Sequence, residues 1–255
     1  MAKAAKSVIV STSWDDGDRS DLRVADMLSA EGLKGTFYIP VAPFRAGREL
    51  SLPEIRDLAG SFEIGSHTVS HRSLTQLTSQ QQSREVFDCK RILEDRLGAE
   101  VASFCYPNGH LSRETVGIVA QAGYRGARTT RMLRWSLKFP RFEMPTTLQA
   151  FPHPPKAYLR NMIKGRNLGG LAGFARHHRP GTSWVELGKK LFDQVLENGG
   201  FWHLYGHSWE LEDLGLWGQL EDLLTYVARR PGVRYVTNAG ACQIPGNAGS
   251  GGRYP

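Results

Sequence analysis

Read for hydropathy alone, the chain alternates short continuous apolar runs with longer stretches in which apolar residues recur every three or four positions. VIVSTSW (8–14), GTFYIP (35–40), FEIGSH (62–67), VASFCYP (101–107), YRGARTT (124–130), FWHLYGH (201–207) and VRYVT (233–237) have the length and bounded ends of strands. Between them, residues 21–33, 52–60, 78–98, 114–123, 184–200 and 211–230 read as helices. In the longest, Val86, Cys89, Leu93 and Leu97 recur at helical spacing and Thr78 is placed to cap the first turn. Strands alternating with helices predict a parallel α/β sheet covered by helices, and at least seven such units favour a closed barrel over an open sheet.

Residues 131–180 break this rhythm: they are rich in Arg, Pro, His and Gly, with FEMPTTLQAF (142–151) as the one plausible strand. They are expected to form a long insertion over the barrel mouth, where substrate would enter. The domain reading is one barrel over 1–245, carrying that insertion, and a disordered tail over 246–255.

Composition narrows the classes. A hydrophobic content of 40% suffices for a sizeable core. The formal charge of +7 favours anionic partners, but the cations are scattered, with local groups at 125–141 and 156–179, so nucleic acid is not the expected ligand. Cys89, Cys105 and Cys242 are widely spaced, which argues against a disulfide framework. Neither a signal-peptide pattern nor an apolar run long enough to span a membrane is present, so a cytoplasmic protein is expected.

In parallel barrels the chemistry sits at the C-terminal ends of the strands. There this chain places SWDDGD (13–18), SHTVSH (66–71), CYPNG (105–109) and YGHSWE (205–210). His67 and His71, four apart and expected on the first turn of a helix, can share one metal. A divalent cation would also stabilise the crowded carboxylates of Asp15 and Asp16, one ligating while the other accepts a proton from water. Because sequence neighbours on a strand face opposite ways, a bend at Gly17 is needed to bring both to the mouth. His207 ends its strand beside Gly206 and is the expected general acid, with His203 one layer deeper on the same face as support. Trp209 and Glu210 follow and are expected to shape the pocket.

SWDDG, SHTVSH and the strand followed by YPNG together resemble the first three motifs of the polysaccharide deacetylase family, the NodB-homology domain of carbohydrate esterase family 4. The resemblance runs in order over residues 7–240. It implies a distorted (β/α)7-type barrel that binds a divalent metal, most often Zn2+ with Co2+, Mn2+ or Ni2+ as alternatives, and hydrolyses the amide of an N-acylated carbohydrate or a related small amide. By position it makes Asp16, His67 and His71 the ligands and Asp15 the catalytic base.

The third motif departs from the family's R-x-P-Y-G: Cys105 stands where the arginine is usual and Asn108 where the aromatic is. That arginine helps hold the catalytic aspartate in the family. Asp15 therefore needs another partner, with Arg128 the first candidate and Arg141 the second. Tyr106 and the backbone N–H of Asn108 are candidates for substrate and oxyanion contacts. A fourth family motif of the D-x-x-D-W type is not found. Two other readings compete: a barrel that binds glycans without turnover, and a haloacid-dehalogenase-like phosphatase using Asp16 and Asp18 of DGDRS.

Overall fold

The computed structural model describes residues 6–179 and 181–244, so the tail expected at 246–255 lies outside the described residues. The described strands are β1 (Val8–Asp15), β2 (Gly35–Ile39), β3 (Glu63–Ser66), β4 (Ser103–Cys105), β5 (Gly126–Arg128), β6 (Leu148–Gln149), β7 (Gly200–Gly206) and β8 (Val233–Tyr235). They form one sheet in the order β5-β4-β3-β2-β1-β7-β6, and every pairing is parallel. Strand β1 pairs along its length with β7, and its other edge is shared, β8 taking Val8–Val10 and β2 taking Thr12–Asp15. A parallel bridge between Arg128 and Met144 links β5 to the segment entering β6. Seven strands thus curl into a distorted barrel, with β8 outside the ring.

The helices are α1 (Asp21–Glu31), α2 (Leu52–Ala59), α3 (Ser79–Leu97), α4 (Arg113–Gln121), α5 (Pro155–Lys164), α6 (Leu168–His177), α7 (Trp184–Asn198), α8 (Ser208–Leu214), α9 (Trp217–Val227) and α10 (Asn238–Cys242). Thr78 caps α3 and, with Gln81, closes a reciprocal capping box, a device that Ser51 with Glu54 and Ser183 with Glu186 repeat on α2 and α7.

Two regions differ from the sequence pattern. The stretch expected as one helix over 211–230 is two, because Gly215 adopts φ 65° and its N–H turns back to the carbonyls of Leu211 and Glu212. The first of the two starts directly after His207, a point that matters for the site. Within 131–179, the expected strand shrinks to β6 behind a 3-10 turn at Arg141–Glu143, and two unexpected helices follow. Apolar spacing too short to register as a periodic run hid them: α5 buries only Tyr158 and Met162, and α6 buries only Gly170 and Gly173. Asn161 on α5 bonds the Met132 N–H and the Thr130 carbonyl, which ties this segment to the end of β5.

Strand alternation explains the layering inside the barrel. Ile9 and Phe201 close the floor in an apolar cluster with Phe139, Met144, Ala241 and Cys242. One layer up, Ser11 and Ser13 hold the buried His203 ring at 2.6 and 3.1 Å. Asp15 and Arg128 then meet near the mouth, both buried. The alternate face of β1 (Val8, Val10, Trp14) belongs to the main core under the helices.

Candidate metal centre and active site

Asp15 and Asp16 both reach the mouth because the turn begins one residue earlier than expected: Asp16 itself has φ 85°, and Gly17 follows at 65°. A non-glycine residue in this region is strained and persists only where its surroundings hold it. Asn108, at φ 59°, turns the backbone after β4 in the same way. The two histidines are also placed by a loop rather than by the expected helical turn. After β3, Thr68 (φ 68°) and His71 (φ 56°) are both left-handed, and the His71 N–H donates to Thr68 Oγ1 at 3.0 Å.

The result is a three-donor cluster of Asp16, His67 and His71. Asp16 Oδ1 lies 3.2 Å from His71 Nε2 and 3.6 Å from His67 Nε2, and the two imidazole nitrogens are 3.1 Å apart. A tetrahedral ion with bonds of about 2.0–2.1 Å spaces its ligands by about 3.3 Å, so the triangle fits one. Asp16 Oδ1 is buried with no aligned hydrogen-bond donor, the state a cation would relieve.

The surroundings orient each donor. His67 Nδ1 lies 2.9 Å from the Cys105 carbonyl, which assigns its proton to that nitrogen and turns the Nε2 lone pair to the cluster. Burial pushes the His67 pKa down to about 4, opposed in part by Asp15, so the ring is neutral. Burial would raise the Asp16 pKa, but the neighbouring His71 and the charge of His207 hold it well below the usual carboxylate range. Trp209 Nε1 donates to Asp16 Oδ2 at 2.9 Å, and Arg45 lies over the Trp209 ring at 4.7 Å.

Asp15 is held differently. Arg128, wholly buried on β5, pairs with its Oδ1. Cys105 Sγ lies 3.8 Å from Oδ2 and His207 Nε2 3.9 Å from it. Cys105 and Arg128 are register partners across β4 and β5. The guanidinium is therefore delivered from the neighbouring strand, over a residue small enough to admit it. Burial pushes the Cys105 thiol pKa well up despite Arg128, so it is a protonated core residue and not a nucleophile. Arg141, the second candidate, sits in the 3-10 turn against Phe142 instead.

His207 bridges the two carboxylates, with Nε2 4.0 Å from Asp16 Oδ2 as well, while Nδ1 is 2.8 Å from Glu210 Oε2. Burial alone would lower its pKa. The Glu210 bond and the charges of Asp16 and Asp15 outweigh burial and raise it to about 9. Because α8 starts at Ser208, Glu210 lies in its first turn, three residues on. Ser208 fixes that turn by donating to Asp21 Oδ1 at 2.6 Å. The His207–Glu210 spacing was the available signal for this pair, whereas Ser208 and Asp21 gave none. His203 stays in its serine cage, with its pKa well below the ordinary value through burial and the Arg128 charge.

One candidate and one competing reading do not match the structure. Tyr106 offers no side-chain surface to a substrate: it is fully buried and its hydroxyl donates to the Phe142 carbonyl at 3.0 Å. Asp18 is no phosphatase acid, since it is buried beneath Arg48 at 3.0 Å and accepts from the Ser20 N–H and hydroxyl. Asn108 is exposed and lines a groove of about 410 Å³ with Gly109, His110, Thr130, Asn161 and Lys164.

Comparison with known proteins identifies the family and the fold. Residues 2–127 match the family described as polysaccharide deacetylase. The Bacillus subtilis protein YxkH, which carries the same family designation, is 28% identical over 120 residues. That match covers 46% of this chain and 43% of the relative, so it spans less than half the relative's length. A polysaccharide-deacetylase structure from Mycobacterium smegmatis aligns over 94% of this chain and 91% of its own, with TM-score 0.66 and 16% identity. A family 4 acetyl xylan esterase from Clostridium thermocellum, solved with a cobalt ion, aligns over 92% and 90% with TM-score 0.58 and 15% identity.

Proposed function

Since the chain belongs to the polysaccharide deacetylase family, we propose that it is a metal-dependent deacetylase hydrolysing the amide of an N-acylated sugar. The observation that carries this reading is the convergence of Asp16 Oδ1, His67 Nε2 and His71 Nε2 beside a second carboxylate, Asp15, held by its own arginine. These three residues would hold a divalent cation, with Zn2+ the first candidate because two imidazoles and one carboxylate suit it. When bound, such an ion supplies Lewis acidity and lowers the pKa of water in its open position towards about 7.

The remaining roles belong to the chain's own side chains. Asp15 accepts the proton of the attacking water on Oδ2, because Arg128 occupies Oδ1. His207, whose pKa its carboxylate neighbours raise to about 9, gives its Nε2 proton to the departing amine nitrogen, and Glu210 fixes the ring and favours its reprotonation from solvent. Trp209 keeps Asp16 from rotating by holding Oδ2. The Asn108 N–H, turned by its left-handed backbone, is the proposed oxyanion donor, and the groove beside it is the proposed path for the sugar chain.

Elemental analysis of the purified protein is expected to find about one divalent ion per chain. Acetate release from an N-acetylated chitooligosaccharide should stop with chelator and return with Zn2+ or Co2+. His71→Ala should lose the metal after dialysis. Full metal retention in that variant, or acetate release insensitive to chelator, would overturn the assignment.

A further inference from the structure

No Asp or Glu lies between Glu143 and Glu186, while Lys156, Arg160, Lys164, Arg166, Arg176 and Arg179 do. Those six cations nearly equal the +7 formal charge of the whole chain. The same segment is anomalous in its apolar residues. Of the exposed large hydrophobics, Leu159 (45%), Ile163 (62%) and Leu168 (79%) fall within ten residues, and Ile163 and Leu168 are the two most exposed of the set.

Helical geometry sorts these residues. Tyr158 and Met162 are the buried side of α5. Leu159 and Ile163, four apart, share the outward side with Lys156, Arg160 and Lys164. Leu168 opens α6 immediately past the corner, so the apolar tips stand at the α5–α6 turn among cations. This is the arrangement of an interfacial helix: apolar side chains enter the acyl boundary while Lys and Arg meet the headgroups.

We propose that the outward face of α5 and the α5–α6 corner dock on an anionic lipid bilayer. Charge selects this occupant: the face carries cations and no carboxylate, so a second copy would meet it with like charge. Lys164 belongs both to the corner and to the groove that runs to Asn108. Docking therefore turns the mouth of that groove towards the headgroup layer. Insofar as the deacetylase reading holds, the substrate is then an N-acylated sugar presented at a membrane surface.

Vesicle co-sedimentation tests this without any substrate. The full chain should bind vesicles of phosphatidylglycerol in phosphatidylcholine and bind phosphatidylcholine alone far more weakly. Affinity should fall as salt rises, because the Debye length shrinks to about 3 Å at 1 M. Ile163→Ser and Leu168→Ser should each weaken binding about tenfold, and the double charge reversal Arg160→Glu with Arg166→Glu should abolish it. All four positions are exposed, and thermal melting should be unchanged. Four outcomes would overturn the proposal: no binding to anionic vesicles, equal binding to both lipids, binding indifferent to these variants, or concentration-dependent self-association that Leu168→Ser removes. Acetate release from a soluble N-acetylated oligosaccharide should be unaffected by Ile163→Ser. A failure of turnover and a failure of docking are thus read separately.

Discussion

The two sides of the barrel mouth solve the same problem by different means. On the β1–β3 side, short local segments supply the three donors: Asp16 turns at φ 85°, and His67 and His71 converge from a single loop. On the β4–β5 side nothing local suffices. Asp15, the proposed base, is held from across the barrel by Arg128, delivered by β5 past Cys105 on β4. A ligand triad can be specified by spacing along the chain. An ion-paired base is specified by register between strands, so its parts can move from one strand to the next.

The largest effect should come from the base itself. Asp15→Asn removes the proton acceptor and should lower kcat by about 10³-fold or more, with metal content unchanged because Asp16, His67 and His71 remain. Near-normal turnover in that variant would transfer the base role elsewhere. Next comes the arginine. Arg128→Ala leaves a buried carboxylate uncompensated, which costs about 3–5 kcal/mol in stability, and should lower kcat by about 10²-fold through loss of positioning. The comparison is sharpened by exchange: Cys105→Arg combined with Arg128→Cys moves the guanidinium back to β4. Recovery of most of the lost activity relative to Arg128→Ala would show that strand origin is interchangeable. No recovery would show that β5 geometry is required.

A smaller effect is expected at the proton donor. A general acid works only while protonated, so kcat should decline as pH rises through the His207 pKa, which its carboxylate neighbours raise to about 9. Glu210→Gln removes the bond that does most to raise it. The alkaline limb should move down by about one pH unit, with little change at pH 6. An unmoved limb would mean that His207 is not the titrating acid.

Legibility followed the same division. The strand–helix alternation, the cap at Thr78 and the cluster of polar groups at strand ends are local patterns, and they led from sequence to barrel and mouth. Arg128 was reachable only as a candidate, because the vacancy at Cys105 announces a missing partner without saying which strand supplies it. The loop that aims His67 and His71 was hidden, since left-handed Thr68 and His71 are not the residues from which such turns are read. Helices α5 and α6 escaped because each buries only two residues, and Tyr106, one residue past β4, lies on the Phe104 side of the chain, away from the mouth that Cys105 faces.

The smallest expected effect concerns the layer beneath the site, where His203 sits between Ser11 and Ser13 and is kept neutral by burial and the Arg128 charge. Its pKa in the fold lies well below the ordinary value, while in the unfolded chain it is about 6.5. Between those values the unfolded state holds a proton that the folded state does not. Stability is therefore complete above about pH 6.5 and falls as pH drops, by about 1.4 kcal/mol per unit for one such group. His67, lowered to about 4, contributes in the same direction, so the wild-type slope alone does not isolate His203. The difference between wild type and His203→Gln does, measured as urea midpoints from pH 7 to 5 on chelated protein, because His67 is common to both. The variant should lose about one proton's worth of slope while keeping a side chain able to bond both serines. Parallel slopes would mean that the caged ring takes up its proton in the folded barrel, and the polar layer under Asp15 would then carry a positive charge.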